Sequence, residues 1–346
     1  MKRWRVGMVG YGWAAGAHIG ALELIDRFEV AAVCTSREDI DAAGLERAHG
    51  HPIELVRDFD ELIARPDIDV IDLCSRSNLH ASQAIAAARA GKHLIIEKPI
   101  ARDLEGMRAV EAAVAEAGVR TCVCLQVRFS PQFTMTRSLV GGGLIGELHY
   151  AEVDYFHNIG PEVSQYEWNL RKDGGGSSLL TAGCHALDGL MMFMDSEVTE
   201  VTSYATSSPH PNFSRYEYPT SSVTILRFAN GALGKVASIV DSHQPYYLRV
   251  HLVGSEGTIL DGKLWSKAIA GLDPDRWTEL GVQLESLMVV DEPYLLQFQE
   301  FADALEGDRE MALTSLADSV RTFEVVFAAD RSAELGRAVP MSEISP

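Results

Sequence analysis

Short apolar runs alternate with helical patterns over the first third of the chain. The apolar runs predict strands at Arg5–Val9, Val30–Cys34, Val70–Leu73, His93–Ile96 and Val119–Leu125. Helical periodicity between them predicts helices at about Trp13–Ile25, Asn78–Ala90 and Leu104–Ala117. Strands that alternate with helices are typical of βαβ units. We therefore expect an α/β fold whose N-terminal part is a doubly wound parallel sheet of the Rossmann type.

In the remainder of the chain, strand follows strand. The pattern predicts strands at Glu147–Tyr155, Val198–Ala205, Ser222–Phe228, Ala232–Ile239, Tyr247–Val253 and Gly257–Leu260. Asn230-Gly231 predicts a two-residue hairpin turn, and Gly174-Gly175-Gly176 predicts a flexible loop. Helices are predicted at Ser177–Met194, Pro293–Glu306 and Leu316–Glu334. These elements indicate a second α/β domain with a mostly antiparallel sheet, and we divide the chain into domains at 1–127 and 128–346.

Charge and cysteine content narrow the function. The 346 residues carry a formal net charge of −19, which argues against nucleic acid and anionic membranes as partners, because both need clustered Lys and Arg. No apolar run approaches the roughly eighteen residues of a membrane span. The five cysteines match no zinc pattern. We therefore expect no metal and a reducing, cytoplasmic setting.

A glycine-rich turn joins the first predicted strand to the first helix. In Gly10-x-Gly12-x-x-Ala15, the first glycine permits a tight turn, the second lets the backbone approach a pyrophosphate, and the small third residue allows helix–strand packing. The phosphates would lie at the helix N-terminus. The alternative is a tight turn without a ligand, but the strand–turn–helix context favours a dinucleotide cofactor.

The end of the second strand bears on the choice between NAD and NADP. An acidic residue there would hold the ribose 2′-hydroxyl, whereas this chain has Thr35, Ser36 and Arg37. A guanidinium pairs with phosphate bidentately, so we favour NADP. Asp39 and Asp41 lie close by in the sequence and oppose that preference.

Two groups of polar residues are candidates for the chemistry. Lys98, in Glu97-Lys98-Pro99, follows a buried strand and would point into the crevice where doubly wound sheets bind ligands, where an ammonium can assist proton transfer. Thr181, His185 and Asp188 are spaced to share one face of the predicted helix. A histidine in an apolar helix is usually a satisfied core residue, but its combination with Lys98 and a cofactor motif favours an acid–base role.

Several short motifs are spread nearly end to end along the chain. They are Gly10-Tyr11-Gly12 with His18, Asn78-Leu79-His80, Ala90–His93 leading into Glu97-Lys98-Pro99, Arg128–Pro131, Gly174–Gly176, Gly183–Asp188 and Gly254–Gly257. Through these motifs the chain resembles the glucose–fructose oxidoreductase / inositol dehydrogenase (Gfo/Idh/MocA) family. The resemblance implies a Rossmann domain plus an open-faced α/β domain whose sheet mediates a homodimer or homotetramer. It implies NAD(P)-dependent oxidation or reduction of a hydroxyl or carbonyl carbon in a sugar, cyclitol or related polyol.

The resemblance also implies roles for individual residues. Lys98 matches the motif lysine that contacts substrate and cofactor, His185 the acid/base histidine, and Glu97 and Pro99 the residues that orient the lysine. The expected cofactor contacts are Gly10, Gly12, Trp13, Ala15, Thr35, Ser36, Arg37, Ser75, Asn78, His80, Glu97 and Lys98. The expected substrate contacts are Lys98, Arg128, Trp168, Arg171, Thr181, His185 and Asp188.

One departure from the family pattern leaves alternatives open. Relatives with an aspartate–histidine pair carry aspartate four residues before the histidine, where this chain has Thr181. A neutral hydroxyl cannot stabilise an imidazolium as a carboxylate does. Either His185 works with Lys98 alone, or Asp188 compensates, or the chemistry differs. A redox-neutral glycosidase or lyase that oxidises a sugar transiently is therefore a second hypothesis, and a non-catalytic dinucleotide sensor is a third.

Three further groups have no firm assignment from the sequence. Tyr155, Phe156, His157 and Asn169, with Trp168 and Arg171, could line a substrate pocket or simply pack beneath the glycine loop. Glu152, Asp154 and His157 have the spacing of strand-borne metal ligands, but solvated polar residues are the more common outcome. The third group lies where two predicted strands join and could face a pocket or an oligomer partner: His243, Pro245, Tyr246 and Tyr247.

Overall fold

The computed structural model describes residues 2–281 and 292–345. The chain divides into two compact units. One contains the chain up to Gln126 and a C-terminal segment that ends at Val320, and the other contains the chain from Val127 and the segment from Arg321. The sequence-based domain 128–346 therefore differs from the structure in its tail, part of which belongs to the first unit.

The first unit contains a six-stranded parallel sheet in the order β3-β2-β1-β4-β5-β6. Its strands are β1 (Trp4–Val9), β2 (Phe28–Cys34), β3 (Glu54–Val56), β4 (Val70–Leu73), β5 (His93–Ile96) and β6 (Thr121–Val123). This is the strand order of a dinucleotide-binding doubly wound sheet, in which the order reverses between β1 and β4. The predicted Rossmann fold is confirmed, and the short strand β3 is the one that the apolar pattern missed.

Among the described residues, five helices of the first unit precede the returning tail, and three of them begin at an aspartate cap. The five are α1 (Trp13–Glu23), α2 (Ala42–His49), α3 (Phe59–Ala64), α4 (Ser77–Arg89) and α5 (Leu104–Ala117). Asp103 accepts a hydrogen bond from the Gly106 amide at 2.7 Å and caps α5, which ends at Gly118 in the left-handed conformation. An aspartate cap and a glycine stop are strong helix boundaries, and α5 has the predicted bounds.

The tail returns to this unit as helix α9 (Glu292–Glu306). The Gln297 amide donates hydrogen bonds to the Val123 carbonyl at 2.8 Å and to the Thr314 hydroxyl at 2.9 Å, and all three residues are buried. Arg27 forms an ion pair with Asp303 on the same helix. The amphipathic pattern predicted this helix, but periodicity alone cannot say against which sheet a helix packs.

The second unit contains a nine-stranded sheet in the order β14-β13-β12-β11-β7-β10-β9-β8-β15. Its strands are β7 (Leu148–Phe156), β8 (Val198–Thr206), β9 (Ser221–Phe228), β10 (Leu233–Ile239), β11 (Tyr247–Gly254), β12 (Gly257–Leu260), β13 (Lys263–Ser266), β14 (Thr278–Glu279) and β15 (Val339–Pro340). All neighbours are antiparallel except β7 and β10. This confirms the predicted mostly antiparallel sheet.

The second unit contains the helices α6 (Pro131–Gly141), α7 (Tyr166–Asn169) and α8 (Cys184–Phe193). The long helix α10 (Leu316–Leu335) lies in this unit from Arg321 onward. A 3₁₀ turn at Gln126–Phe129 marks the passage from the first unit.

The hairpin at Asn230-Gly231 joins β9 to β10 as predicted, but its loop has three residues. The Gly231 amide donates to the Phe228 carbonyl, and Gly231 then adopts φ +87°, a combination that glycine favours.

The predicted helix at Ser177–Met194 is divided in two. Leu179–Gly183 forms a π-helical turn that leads directly into α8. Because a π turn bonds residue i to i+5, Thr181 and His185 do not stand at regular α-helical positions. Gly183 is needed there since a Cβ atom would lie 2.2 Å from the Ser238 hydroxyl on β10.

The glycine run is a close-packed turn and not the flexible loop that we expected. A Cβ atom on Gly174 would lie 2.0 Å from the Trp168 carbonyl oxygen, and one on Gly175 would lie 1.9 Å from the Tyr218 hydroxyl. Both glycines are buried. They let the chain fold tightly against α7. Across the described part of the chain, no helix is long and apolar enough to cross a membrane.

Candidate functional site

The reversal point of the first sheet carries the predicted cofactor turn. Gly10 follows β1 with φ +94°, and a Cβ atom there would lie 2.5 Å from the Cys74 carbonyl oxygen that follows β4. A Cβ atom on Gly12 would meet no atom within 4 Å. The space beside Gly12, the glycine whose backbone would approach a pyrophosphate, is therefore free of other described protein atoms.

The turn and the first helix fit a dinucleotide. Gly12 caps α1 without a side-chain hydrogen bond, and no acidic residue lies in the first turn. The backbone amides at the start of this helix can therefore donate hydrogen bonds to an anion. Ala15 is fully buried and lets the helix approach the sheet. Gly10, Gly12, Trp13 and Ala15 would hold the pyrophosphate region, with Trp13 half-exposed at the rim.

The loop after β2 is organised by arginines. Arg37 forms an ion pair with Asp39 at 2.5 Å and donates to the Tyr11 carbonyl at 2.9 Å. Arg57 donates to the carbonyls of Thr35 and Arg37 at 2.9 and 2.7 Å. The side chain predicted to bind a 2′-phosphate therefore lies beside the glycine turn, but it is already paired with a carboxylate.

Other predicted cofactor residues follow β4. Ser75 donates to Gln83 at 2.5 Å, and Asn78 is exposed in the first turn of α4. His80 is buried, and its ring nitrogens lie 2.7 Å from the Pro99 carbonyl and 3.1 Å from the Ser75 carbonyl. This differs from the expected cofactor contact, because both ring nitrogens face the backbone and hold the segment after Lys98.

Glu97 anchors the end of β5. Its Oε2 accepts a hydrogen bond from the Lys98 amide at 2.9 Å, and its Oε1 accepts one from the Tyr294 hydroxyl at 2.9 Å. His18 of α1 places Nε2 at 3.3 Å from the same Oε1 and Nδ1 at 3.0 Å from an Asp72 oxygen. Glu97 is thus fixed from three sides beneath the half-buried Lys98.

Sequence reasoning noted His18 as part of a motif without giving it a role, and it missed Asp72 and Tyr294. A signal for Asp72 was available, since it is the lone carboxylate in the apolar strand Val70–Leu73. A buried charge must find a partner, and His18 is the one polar side chain among the buried residues of α1. No local signal identifies Tyr294, because it reaches the site only when α9 packs against this unit.

The charges of this group stabilise one another. Burial alone would raise the pKa of Glu97, but the hydrogen bond from His18 and the nearby positive charge of Lys98 lower it to about 2. Burial alone would lower the pKa of His18, but the Asp72 carboxylate raises it well above its usual value. The stabilisation from Glu97 is present above its unfolded pKa and is lost as pH falls towards 2. The stabilisation from His18 is present below its unfolded pKa and is lost as pH rises through the raised value.

In the second unit, His185 lies near the start of α8 and is buried among aromatic rings. Its ring stacks on Tyr155 of β7, with centroids 6.5 Å apart and planes 24° apart. The Tyr155 hydroxyl lies 3.1 Å from His157 Nδ1, and Tyr246 packs edge-on against both Tyr155 and His157 with centroids 5.3 Å away. Burial raises the pKa of both tyrosines, so both phenols stay protonated. Tyr246 thus belongs to this cluster within the unit.

Arg128 and Asp188, both predicted to bind substrate, bind each other instead. Arg128 Nε and Nη2 donate to the two Asp188 oxygens at 2.6 and 2.5 Å, and the Thr322 hydroxyl adds a third bond at 2.7 Å. All three side chains are buried. Three donors thus engage the Asp188 carboxylate, and the alternative in which Asp188 compensates for the missing aspartate at 181 stays a prediction.

The remaining predicted substrate residues lie around the glycine turn. Thr181 donates to the Asn169 amide oxygen at 3.3 Å. Trp168 is half-buried on α7, and Arg171 is exposed in an ion pair with Asp173 at 2.6 Å. An exposed pair of this kind holds a side chain weakly, so Arg171 can still exchange partners.

The possible strand-borne metal ligands are used otherwise. Lys235 donates to Glu152 at 2.9 Å and to Asp154 at 2.7 Å, and Asp154 also accepts from the Ala237 amide at 2.6 Å. His157 faces Tyr155, as described above. These residues link β7 to its parallel neighbour β10.

Comparisons with known proteins agree with both units. The family model described as "Oxidoreductase family, NAD-binding Rossmann fold" matches residues 4–125, and the model "GFO/IDH/MocA C-terminal domain" matches residues 133–260. Among curated proteins, the chain is 26% identical over 348 residues to myo-inositol 2-dehydrogenase of Thermotoga maritima, covering 98% of this chain and 99% of that one. It is 28% identical over 304 residues to an uncharacterised oxidoreductase of Bacillus subtilis, covering 87% and 83%.

A solved structure also resembles this one. Levoglucosan dehydrogenase in complex with NADH and L-sorbose superposes with a TM-score of 0.85 at 23% identity, covering 99% of each chain. At this identity the likeness establishes the fold.

The buried Arg128–Asp188 pair gives a stability prediction. Arg128→Met leaves the Asp188 carboxylate buried without its cation, and we expect the free energy of unfolding to fall by about 3–5 kcal/mol. The double variant Arg128→Met/Asp188→Leu removes both charges and should regain much of that loss. Urea unfolding at neutral pH measures both. A single variant that keeps its stability but raises the KM for substrate would instead support direct substrate contact.

Proposed function

Because the chain belongs to the GFO/IDH/MocA oxidoreductase family, we propose that it is an NAD(P)-dependent dehydrogenase or reductase of a sugar, cyclitol or related polyol. The observation that carries the proposal is the position of Lys98, two residues after the end of β5 at the ligand-binding edge of a sheet whose glycine turn fits a dinucleotide. The name of one relative supports the substrate class, since the Thermotoga maritima protein acts on myo-inositol.

The proposed chemistry divides between two side chains. The bound nicotinamide supplies a hydride acceptor or donor. Lys98 stabilises the negative charge that develops on the substrate oxygen, and His185 takes up or returns the hydroxyl proton. Position 181 holds a threonine and Asp188 is engaged by Arg128, so we propose that His185 acts together with Lys98.

Loss of Lys98 tests this proposal. Lys98→Ala should lower turnover at least about a hundredfold, because it removes the group that stabilises the negative charge on the substrate oxygen. Cofactor affinity, measured by nicotinamide fluorescence, should change little. The measurement follows nicotinamide absorbance over a panel of sugars, inositols and ketosugars with NAD and NADP, and the exposed Lys267→Ala serves as a matched control.

Three outcomes separate the hypotheses. Turnover that survives Lys98→Ala would contradict the role of the lysine. A cofactor that is bound tightly while glycosides are cleaved without net absorbance change would identify the redox-neutral reaction. A bound cofactor with no turnover on either type of substrate would favour the non-catalytic sensor. In that case the loss of Lys98 or His185 should leave cofactor binding unchanged.

We also propose that the enzyme prefers NADP to NAD. Arg37 lies beside the glycine turn, and a 2′-phosphate could take the place of Asp39 in its pair. Arg37→Ala should raise the KM for NADP about tenfold or more, since a charge-assisted bond is lost, and leave the KM for NAD nearly unchanged. The exposed Arg47→Ala is the control. A wild-type preference for NAD would show that Asp39 decides the selection.

The exposed side of the second sheet supports the proposed homodimer or homotetramer. Tyr204, Val223, Ile225 and Leu233 lie on three adjacent strands and are 41–71% exposed. An apolar patch of this kind marks an interaction surface. Ile225→Glu should therefore convert the oligomer to a smaller species in sedimentation velocity, whereas Leu296→Glu, at an exposed leucine of α9, should not. A wild-type monomer would end this proposal.

A reducing, cytoplasmic location is the remaining proposal. All five cysteines are free thiols, and four of them are buried, as is usual where disulfides do not form. Cell fractionation would test it, and recovery of the protein from an oxidising compartment would count against it.

A further inference from the structure

The buried titratable side chains around His18 have no role in the proposed chemistry, which uses only Lys98 and His185. They come from four different elements of the first unit and surround the imidazole of His18. The groups that face His18 or Glu97 are Asp72, Cys74, Cys124, Tyr294 and the charge of Lys98.

The hydrogen-bond partners of His18 indicate its protonation state. Nδ1 lies 3.0 and 3.1 Å from the two Asp72 oxygens, and Nε2 lies 3.3 Å from Glu97 Oε1. Ionised carboxylates only accept hydrogen bonds. A neutral imidazole would turn one lone pair toward a carboxylate oxygen in a fully buried site, which is repulsive, whereas an imidazolium donates in both directions.

The position of Glu97 shows what such an imidazolium would hold in place. One oxygen of Glu97 accepts from His18 and Tyr294, and the other accepts from the Lys98 amide. Because His18 and Tyr294 hold one oxygen of Glu97, the other oxygen has a fixed position from which to orient the Lys98 amide. Hydrogen bonds of this indirect kind commonly position the residues of a functional site. His18 itself is fully buried and cannot reach a substrate.

We propose that His18 is a positioning residue: as an imidazolium clamped between Asp72 and Glu97, it fixes the Glu97 carboxylate and through it the backbone of Lys98. The inference deepens the proposed function and rests on it only for the effect on turnover. The aromatic rings of Tyr294 and Phe298, with centroids 4.6 and 5.0 Å from His18, hold the imidazole in that position. The elements α1, β4, β5 and α9 thus meet at one buried cation.

The direction of the pKa shifts agrees with this geometry. The pKa of His18 is raised by Asp72, and the pKa of Glu97 is lowered by His18 and Lys98. Burial raises the pKa of Cys74, so its thiol stays neutral beside His18. Asp72 is therefore the group whose charge keeps His18 protonated.

The same side chains offer donors to a metal ion, since His18, Asp72 and Cys74, and also His18, Glu97 and Cys124, place ligand atoms within 4.8 Å of one another. A metal would require a neutral imidazole. The short distances from both ring nitrogens to carboxylates favour protons over a metal, and the experiment distinguishes them.

The test uses the full-length protein with cofactor bound. Histidine-selective NMR should show that His18 remains an imidazolium at about pH 8, above the usual pKa of a histidine. Asp72→Asn keeps the shape of the site but removes the charge. In that variant the His18 pKa should fall, and the Lys98 amide proton resonance should move with the His18 titration.

Turnover gives the second readout. Asp72→Asn should lower kcat by about tenfold to a hundredfold as pH rises through the new His18 pKa, with little change in the KM for substrate. Phe301→Leu loosens the packing of α9 against Phe28 of β2 without removing a charge, so it should reduce thermal stability and leave the pH profile of kcat unchanged.

Each outcome decides the proposal. A neutral His18 in the wild type, or one metal ion per chain whose removal alters the His18 resonance, overturns it even if Asp72→Asn does not fold. A shifted His18 pKa with an unmoved Lys98 amide and an unchanged kcat profile overturns the positioning role. If the wild type turns over no polyol, the proposed function fails, while the two NMR measurements still test the clamp.

Discussion

Two carboxylates buried at the ligand-binding end of the first sheet set the main constraint on this structure. Asp72 lies within β4 and Glu97 directly follows β5, and both are almost wholly shielded from water. A buried charge is tolerated only when it is paired and hydrogen-bonded. His18 from α1 and Tyr294 from α9 meet that need. The packing of the first helix and of the returning tail is therefore coupled to the strand end that presents Lys98.

The second unit also contains a buried carboxylate, but its cationic partner is an arginine. Asp188 is paired with Arg128, whose guanidinium stays charged at all ordinary pH values. Such a pair is a fixed structural element. His18 can lose its proton, so the arrangement around Glu97 depends on pH and on the charge of Asp72. The Arg128–Asp188 pair therefore keeps its charge over the ordinary pH range, whereas the pairing of His18 with Asp72 and Glu97 can change with pH.

Close backbone approach shapes the surroundings of His185. The π turn before α8 and the buried glycines 174, 175 and 183 bring the chain within contact distance of Trp168, Tyr218 and Ser238, where no side chain would fit. His185 consequently lies against the aromatic rings of Tyr155 and its neighbours. Thr181 is hydrogen-bonded to Asn169 and Asp188 to Arg128, so both polar side chains predicted to share a helix face with His185 bind residues on other segments.

The sequence by itself determined the fold class, most element bounds and the cofactor turn, because these depend on local periodicity, capping and the conformational needs of glycine. Leu104–Ala117 and Gly10-x-Gly12-x-x-Ala15 are examples. Tertiary structure alone decided where the tail helix α9 packs, that Arg128 binds Asp188, that His80 faces the backbone, and that His18, Asp72 and Tyr294 surround Glu97. Each of these joins residues far apart in the chain, and a local pattern carries no information on which buried charge meets which partner.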